Sequence, residues 1–331
     1  MVSPSAPMLD AILRDDTMTE LHGIHTIDTA FQRAHFDAAY LVVENGRGAL
    51  VDCGTQHSIP AILATIARAG ITPADVDWLI LTHVHLDHAG GAGALMQQLP
   101  DARLLVHPRG ARHMIDPSAL VAGATAVYGE VEIARSYGAI VPVPAERVTV
   151  AEDGHVVDLA GRTLLCRDTP GHARHHLCVW DERSRSWFTG DTFGLSYREL
   201  DGPNGPFILP TTSPVQFEPE ALKASIALLL SYQPQAMYLT HYDRIDGVEK
   251  LAADLTEQID AMVAIAGDCN AATIDADARH ARLRAALCDL YLCRARAQAV
   301  PLDDAGVLRT IDMDIELNAQ GLACWLDRDR R

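Results

Sequence analysis

The sequence predicts an α/β fold, with layers of helix packed on sheet, followed by a helical C-terminal part. Between Leu21 and His241, short runs rich in Val, Ile, Leu and Tyr are separated by Gly, Pro and Asp turns, which indicates strands that alternate with helices. After His241 the chain changes to long segments rich in Ala and Leu with helical spacing. We therefore expect one large domain over residues 1–245 and a helical extension over residues 246–331.

The first predicted elements are a hairpin and an alternating series of strands and helices. Asn45-Gly46 separates two strands and is a strong hairpin signal, because both residues tolerate positive φ. Gly70 ends a predicted helix as its C-cap. The strands predicted here are Ala38–Val43, Ala49–Asp52, Asp77–Leu81 and Arg103–His107, and the helices are Ile59–Ala69 and about Gly91–Gln98.

The second half of the large domain contains an insertion and more strands. The segment Ser118–Tyr137 has helical character and interrupts the strand series, which predicts an inserted helical segment. The strands predicted after it are Arg147–Val150, Val156–Leu159, Arg162–Arg167, His176–Trp180 and Ser186–Thr189. The helices predicted in the C-terminal part are Val248–Gly267, Arg279–Gln298 and Asp303–Leu326.

Composition excludes several functional classes. The chain of 331 residues has 27 basic and 44 acidic residues, a net charge of −17, which argues against partners such as nucleic acid or an anionic membrane surface. No apolar run approaches the ~18 residues that span a bilayer. Met1–Glu20 lacks a basic segment followed by an apolar one, so it does not resemble a secretory signal. We expect a cytoplasmic protein that takes a small-molecule substrate, and a homodimer because symmetric dimers are the commonest oligomers.

The strongest chemical signal is the segment Thr82-His83-Val84-His85-Leu86-Asp87-His88, which begins where a predicted strand ends. His83 and His85 are two residues apart in extended chain and so face the same side, while Asp87 and His88 fall where the chain turns into a helix. Imidazole and carboxylate are ligands that zinc and similar cations prefer. This spacing therefore predicts a metal site.

Four other polar residues each follow an apolar predicted strand directly. Ligands in α/β proteins commonly lie at the carboxyl ends of strands, so one edge of the sheet could collect all four side chains. These residues are Asp52, His172, Asp191 and His241.

These motifs together resemble those of metallo-β-lactamase-fold hydrolases, and within that superfamily the glyoxalase II-like branch. The resemblance covers about residues 40–242 through five motifs in order: Val51-Asp52-Cys53-Gly54, Thr82 to Gly91, Thr169-Pro170-Gly171-His172, Thr189-Gly190-Asp191-Thr192 and Leu239-Thr240-His241. It implies an αββα sandwich with a two-metal site at one sheet edge. By this resemblance His83, His85 and His172 bind the first metal, Asp87, His88 and His241 bind the second, Asp191 bridges both, and Asp52 orients the histidines.

The resemblance implies hydrolysis. Two divalent metals would hold a bridging hydroxide that attacks an ester, thioester or lactone, and Asp87 would orient that hydroxide or pass a proton to the leaving group. Zinc is the default metal, with iron or manganese also compatible with nitrogen and oxygen ligands. The bridging Asp191 stands where common zinc β-lactamases have a cysteine, which disfavours antibiotic hydrolysis.

Other residues are candidates for the surroundings of the metals. His175 and His176, beside His172, are candidates for supporting or pocket residues, with His175 favoured. Tyr197 and Tyr242 are candidates for lining the substrate pocket. We also expect Gly190–Thr212, which is long for a plain connection, and Ser118–Tyr137 to wall the pocket.

Three alternative functions stay open at this point. The same fold could hydrolyse a phosphodiester or phosphotriester. A related mononuclear iron site could oxidise a persulfide, although the set Asp87, His88 and His241 favours a second metal. A non-catalytic metal-binding sensor is a further alternative, but such proteins are expected to lose ligands.

Overall fold

The computed structural model describes residues 21–213, 216–271 and 275–329. Met1–Glu20, on which the expectation about a secretory signal was based, lies outside them. The described chain contains two six-stranded sheets. In the first, β1 to β6 lie side by side in chain order, antiparallel up to β3 and parallel from β3 to β6. Its strands are β1 Ile24–Asp28, β2 Ala38–Glu44, β3 Arg47–Val51, β4 Val76–Ile80, β5 Arg103–Val106 and β6 Val148–Val150.

The second sheet has the order β12-β11-β10-β9-β8-β7. Its pairs are antiparallel except for β10 and β11, which run parallel. Its strands are β7 Val156–Leu159, β8 Arg162–Asp168, β9 Leu177–Asp181, β10 Ser186–Phe188, β11 Ala236–Leu239 and β12 Asp243–Ile245.

Helices cover the outer faces of both sheets. They are α1 Ile59–Arg68, α2 Leu86–Ala89, α3 Ala92–Met96, α4 Pro108–Ile115, α5 Ser118–Tyr128, α6 Glu130–Ser136, α7 Pro219–Ser231, α8 Val248–Ala271, α9 Ala276–Gln298, α10 Asp304–Thr310 and α11 Asp312–Asp329. No helix in the described part of the chain has the length and apolar character needed to cross a membrane.

Three hydrophobic clusters define the layers. The cluster between the sheets packs Tyr40 and Ile80 of the first sheet with Val179 and Phe188 of the second. Leu41, which follows Tyr40 in β2, belongs instead to the cluster under α1 and α3, as the two-residue period of a strand requires. The third cluster joins the other face of the second sheet to α7–α11. The predicted mixed α/β fold is therefore confirmed, with the layers arranged as an αββα sandwich.

The C-terminal helices share a core with the second sheet. Trp187 and Leu239 from the sheet, Leu255 from α8, Tyr291 from α9 and Leu322 from α11 lie in the same hydrophobic cluster. The boundary predicted at residues 245 and 246 falls between β12 and α8. The helices after it have no separate core among the described residues, because their apolar faces pack on the sheet.

Some elements lacked a specific prediction. β1, β12 and α4 are short, and β12 has the sequence Asp243-Arg244-Ile245, which carries no apolar alternation. It is a strand because it pairs with β11, where Leu239 faces Asp243 and Met237 faces Ile245. Pairing of this kind is set by tertiary structure, which overrides local propensity in short strands.

A buried ion pair stabilises the second sheet. Arg162 in β8 donates from Nε to Oδ1 of Asp181 over 2.9 Å and from Nη2 to Oδ2 over 2.5 Å. The two side chains are 1% and 0% exposed. The carboxylate also accepts hydrogen bonds from the backbone N–H and hydroxyl of Ser184. Without Asp181, the buried Arg162 guanidinium keeps a longer contact with Glu44, 3.8 Å from Nη1, and a hydrogen bond to the carbonyl oxygen of His22. It loses its forked partner, which costs more than loss of a solvated pair.

We expect Asp181→Ala to lower the free energy of unfolding by about 3 kcal/mol, because it removes the forked partner of a guanidinium that stays in the core with only Glu44 nearby. The matched control is Asp327→Ala, since Asp327 accepts two hydrogen bonds from Arg279 in the same forked geometry but its side chain is 52% exposed. That variant should lose about 1 kcal/mol or less. Urea unfolding measures the free energy of unfolding of both variants. Equal losses would contradict the expected difference between a buried and an exposed ion pair.

Candidate metal centre

The predicted ligands lie in loops at one edge of the sandwich. His83 and His85 follow β4, and Asp87 and His88 lie in the short helix α2. His172 lies in the turn between β8 and β9, Asp191 follows β10, and His241 lies between β11 and β12. The sheet edge therefore brings together seven residues that are as much as 158 positions apart, from His83 to His241.

The seven side chains form two clusters, and within each cluster the candidate ligand atoms lie within 4.8 Å of one another. We call His83, His85, His172 and Asp191 the first cluster, and Asp87, His88 and His241 the second cluster.

In the first cluster, ring nitrogens converge on a common point. Nε2 of His83 lies 2.8 Å from Nδ1 of His85, and Nε2 of His172 lies 3.1 Å from that same atom. Oδ2 of Asp191 lies 3.3 Å from Nε2 of His172. These four residues are suited to hold one cation.

In the second cluster, Oδ2 of Asp87 lies 3.6 Å from Nε2 of His241 and 3.8 Å from Nε2 of His88. The other oxygen of Asp191, Oδ1, lies 3.3 Å from Nε2 of His88 and 3.8 Å from Nε2 of His241. The Asp191 carboxylate thus directs one oxygen toward each cluster.

Buried atoms without hydrogen bonds indicate that this arrangement fits cations. Nε2 of His88 and Oδ1 of Asp191 are buried, and neither makes a hydrogen bond. Leaving such a group unsatisfied costs about 1–3 kcal/mol, which a bound cation would offset. All seven donors are nitrogen or oxygen, a set compatible with zinc, iron or manganese.

Asp52 orients the second cluster. Its Oδ2 accepts a hydrogen bond from Nδ1 of His88 over 2.9 Å, so Nε2 of that ring is directed at the cluster. The same carboxylate accepts the backbone N–H and the hydroxyl of Thr82, each over 2.8 Å, and the hydroxyl of Thr240 over 3.2 Å. The structure therefore places Asp52 in contact with His88 of the second cluster, and its role in orienting a metal ligand stays a prediction.

Two backbone carbonyl oxygens likewise orient the rings of His241 and His172. Nδ1 of His241 donates to the carbonyl oxygen of Phe36 over 2.8 Å, and Nδ1 of His172 donates to that of Thr211 over 3.3 Å. A carbonyl only accepts, so Nδ1 carries a proton and Nε2 is the ring nitrogen that faces the cluster, where its lone pair becomes available once it is deprotonated.

His176 supports the backbone at Asp191. Its Nε2 accepts the backbone N–H of Asp191 over 3.2 Å, and its Nδ1 lies 2.9 Å from the hydroxyl of Thr169. The preceding residue, Gly190, has φ +47°, and a Cβ there would lie 2.6 Å from Nε2 of His176. A glycine is needed at this position because the chain both turns sharply and passes close to the ring.

The other predicted residues have different surroundings. The His175 ring is stacked at 6.1 Å from that of His83, and burial lowers the pKa of His175 to about 2. Tyr197 is fully buried, and its hydroxyl donates to Asp314 over 3.1 Å. Its candidate role in lining the substrate pocket stays a prediction. Tyr242 is 2% exposed and its ring lies 5.2 Å from that of His35, so its pocket role stays a prediction.

Burial and neighbouring carboxylates strongly shift the pKa values of histidines at the site. Burial lowers the pKa of His85 to about 3, which keeps this imidazole in the neutral form that binds metals. At His241, burial also lowers the pKa, but the carboxylates of Asp87 and Asp191 outweigh it and raise the value to about 9. In the metal-free protein, His241 therefore tends to hold a proton at the position where a cation would bind.

Two buried carboxyl groups near the clusters had no sequence signal. Asp37 precedes β2, and burial raises its pKa to about 7, against the nearby charge of His241. Asp314 lies in α11, and burial raises its pKa to about 7 as well. Neither follows an apolar strand within a recognisable motif, so sequence reasoning missed them.

A cavity of about 260 Å³ lies near the second cluster. Arg135 and Ser136 of the inserted helical segment line it, together with residues that follow β1 and β3. Phe31 in its wall packs on Phe36, whose ring lies 5.4 Å from that of His241. The loop Gly190–Thr212 lines a different cavity, of about 80 Å³, against α8 and α9.

Residues 34–241, more than half of the chain, match the family model described as the metallo-beta-lactamase superfamily. The chain belongs to this superfamily, which confirms the resemblance at the level of the superfamily.

Curated relatives share part of the chain. The metallo-beta-lactamase fold-containing protein ST1585 of Sulfurisphaera tokodaii is 28% identical over 62% of this chain and 74% of its own. An atrochrysone carboxyl ACP thioesterase of Aspergillus fumigatus is 31% identical over 35% of this chain and 27% of its own. A hydroxyacylglutathione hydrolase of Rhodopseudomonas palustris is 27% identical over 46% of each chain. This chain therefore spans less than half the length of the last two proteins.

Solved structures show the same fold over most of the chain. The structure of ST1585 covers 91% of this chain and 98% of its own, with a TM-score of 0.63 and 22% identity. That of TTHA1429 from Thermus thermophilus covers 89% and 95%, with a TM-score of 0.62 and 20% identity. At these identities the likeness establishes the fold alone.

We expect Asp52→Asn to weaken metal binding by about 10- to 100-fold, because an amide has one acceptor oxygen and cannot serve both Thr82 and His88. Chelator competition on metal-loaded protein measures the dissociation constants. Asp101→Asn, at an exposed position, is the control and should match the wild type. An unchanged affinity in Asp52→Asn would show that this carboxylate does not orient a ligand.

Proposed function

We propose that this protein is a binuclear metal-dependent hydrolase that cleaves an ester, thioester or lactone bond of a small-molecule substrate. The observation that carries this proposal is the position of Asp191, which directs Oδ2 toward the first cluster and Oδ1 toward the second. A carboxylate shared in this way suits two cations held close together. Zinc is the proposed metal, with iron or manganese as alternatives.

Asp87 is the residue suited to transfer a proton during hydrolysis. Its side chain is 26% exposed, whereas that of Asp191 is 7% exposed, so Asp87 is the site carboxylate more open to a substrate. Metal ions bound at the two clusters would polarise a carbonyl oxygen and lower the pKa of water toward 7. The Asp87 carboxylate, held beside His88 and His241, can then orient the nucleophile and carry a proton to the leaving group.

Charge supports an acyl substrate over a phosphodiester. The whole chain has a net charge of −17. Such a field repels a polyanionic phosphate backbone. The thioesterase and the hydroxyacylglutathione hydrolase among the relatives also act on thioesters by their names, which supports this class.

The arginines of α9 do not support a glutathione-binding surface. Arg279 pairs with Asp327, Arg284 with Asp312, and Arg296 with Asp304. Carboxylates of α10 and α11 already pair with these three arginines, which makes them less available to a glutathione carboxylate. We therefore favour the general thioester or ester class over the glyoxalase II-like reaction itself.

Metal stoichiometry separates the proposed function from its main rival. We expect elemental analysis of loaded protein to give two ions per chain, because both clusters have complete donor sets. His172→Ala and His241→Ala should each lower the retained metal, whereas His113→Ala, a surface histidine outside both clusters, should not. One iron per chain with oxygen consumption on a persulfide would replace hydrolysis by the dioxygenase reaction.

We expect Asp87→Asn to lower kcat by about 10²- to 10⁴-fold, the range for loss of a proton-transfer group. The substrates are thioesters, lactones, carboxyesters and phosphodiesters, tested on protein of measured metal content. Circular dichroism should show that the variant is folded, and Asp101→Asn should retain full activity. Unchanged turnover in Asp87→Asn would remove this residue from the mechanism, and turnover confined to phosphodiesters would overturn the acyl class.

A further inference from the structure

We propose that helix α11 is a positioning element of the metal centre and that Asn318 in this helix holds the ligand His172 in place. The proposal rests on the metal centre of the proposed function. It assigns to the C-terminal helices a direct part in that centre, although Asn318 lies 146 positions from His172 along the chain.

Asn318 is fully buried, and its carboxamide makes three hydrogen bonds. Oδ1 accepts the backbone N–H of Thr212 over 2.8 Å. Nδ2 donates to the carbonyl oxygen of Pro210 over 3.0 Å and to the hydroxyl of Tyr291 over 2.8 Å. One side chain thus holds the peptide groups on both sides of Thr211.

Thr211 carries the effect to the metal centre. Its carbonyl oxygen accepts Nδ1 of His172 over 3.3 Å. Because Pro210 and Thr212 are both bonded to Asn318, the direction of this carbonyl depends on that side chain. His172 in turn directs Nε2 to within 3.3 Å of Asp191 Oδ2 and 3.1 Å of His85 Nδ1.

Close packing prevents α11 from shifting away from this segment. The hydroxyl of Thr212 donates to the carbonyl oxygen of Leu317 over 3.3 Å. A Cβ on Gly321, one turn further along the helix, would lie 2.0 Å from Oγ1 of Thr212. Only a residue without a side chain allows the helix and the segment to approach so closely.

The same face of the helix also approaches the second cluster. Asp314 precedes Asn318 by four residues and so lies on the same face of α11. It accepts the hydroxyl of Tyr197, whose ring is stacked on that of Phe36 at 5.2 Å. Phe36 is the residue whose carbonyl oxygen holds Nδ1 of His241. Both clusters therefore have a supporting contact chain that begins on one helix.

The test is the metal affinity of Asn318→Ala measured by chelator competition. The matched control is Gln258→Ala, which removes another buried carboxamide that binds the same loop, through Nε2 and the carbonyl oxygen of Ile208 over 2.9 Å. That contact does not lead to a metal ligand. We expect Asn318→Ala to raise one metal dissociation constant by about 10- to 100-fold and Gln258→Ala to leave both near the wild-type values.

A double mutant tests whether Asn318 acts on metal binding through His172. Added to His172→Ala, the change Asn318→Ala should weaken metal binding no further, because the residue through which it acts has already been removed. An equal loss in that background, or the same loss in Gln258→Ala, would overturn the inference.

A milder variant covers the case in which Asn318→Ala does not fold. Tyr291→Phe removes only the hydroxyl that accepts from Asn318 Nδ2, and we expect a several-fold loss of metal affinity in the same direction. Wild-type affinity in this folded variant counts against the inference. If the wild type binds no metal, the proposed function and this inference fail together; if it binds two and Asn318→Ala binds them equally well, only the inference fails.

Discussion

The buried carboxylate of Asp52 is the contact that joins the two halves of the sandwich at the site. It follows β3 of the first sheet and accepts hydrogen bonds from Thr82, which follows β4, and from Thr240, which follows β11 of the second sheet. It also binds Nδ1 of His88. The relative position of the sheets and the orientation of the His88 ring therefore both depend on this one carboxylate.

Around this contact, the candidate metal centre buries polar groups that cost folding free energy but suit the binding of cations. Four histidines of the clusters and Asp191 are buried together, and two of their polar atoms, Nε2 of His88 and Oδ1 of Asp191, lack hydrogen bonds. In a folded protein such groups are costly unless they are paired or bind a cation. The Nδ1 atoms of His88, His172 and His241, which face away from the clusters, all form hydrogen bonds with the surrounding protein. The cost is therefore confined to the atoms that face the clusters, where metals would bind.

The C-terminal helices extend this support beyond the sandwich. They bury the outer face of the second sheet and, through Asn318 and Asp314, reach the segments that hold His172 and His241. A helical part that looks like an appendage along the chain is thus continuous with the core in space.

The sequence by itself determined the layered α/β class, most of the strands and all seven side chains that the two clusters contain. It could do so because strand periodicity and the His83–His88 spacing are local, and because strand ends meet at one sheet edge. Tertiary structure alone decided which oxygens and nitrogens face each other. The carbonyls of Phe36 and Thr211 carry no side-chain signal, since every residue has one, and Asn318 becomes relevant only when α11 packs against Thr212. Tertiary structure likewise buried Tyr197 and set its hydroxyl against Asp314, a residue 117 positions further along the chain.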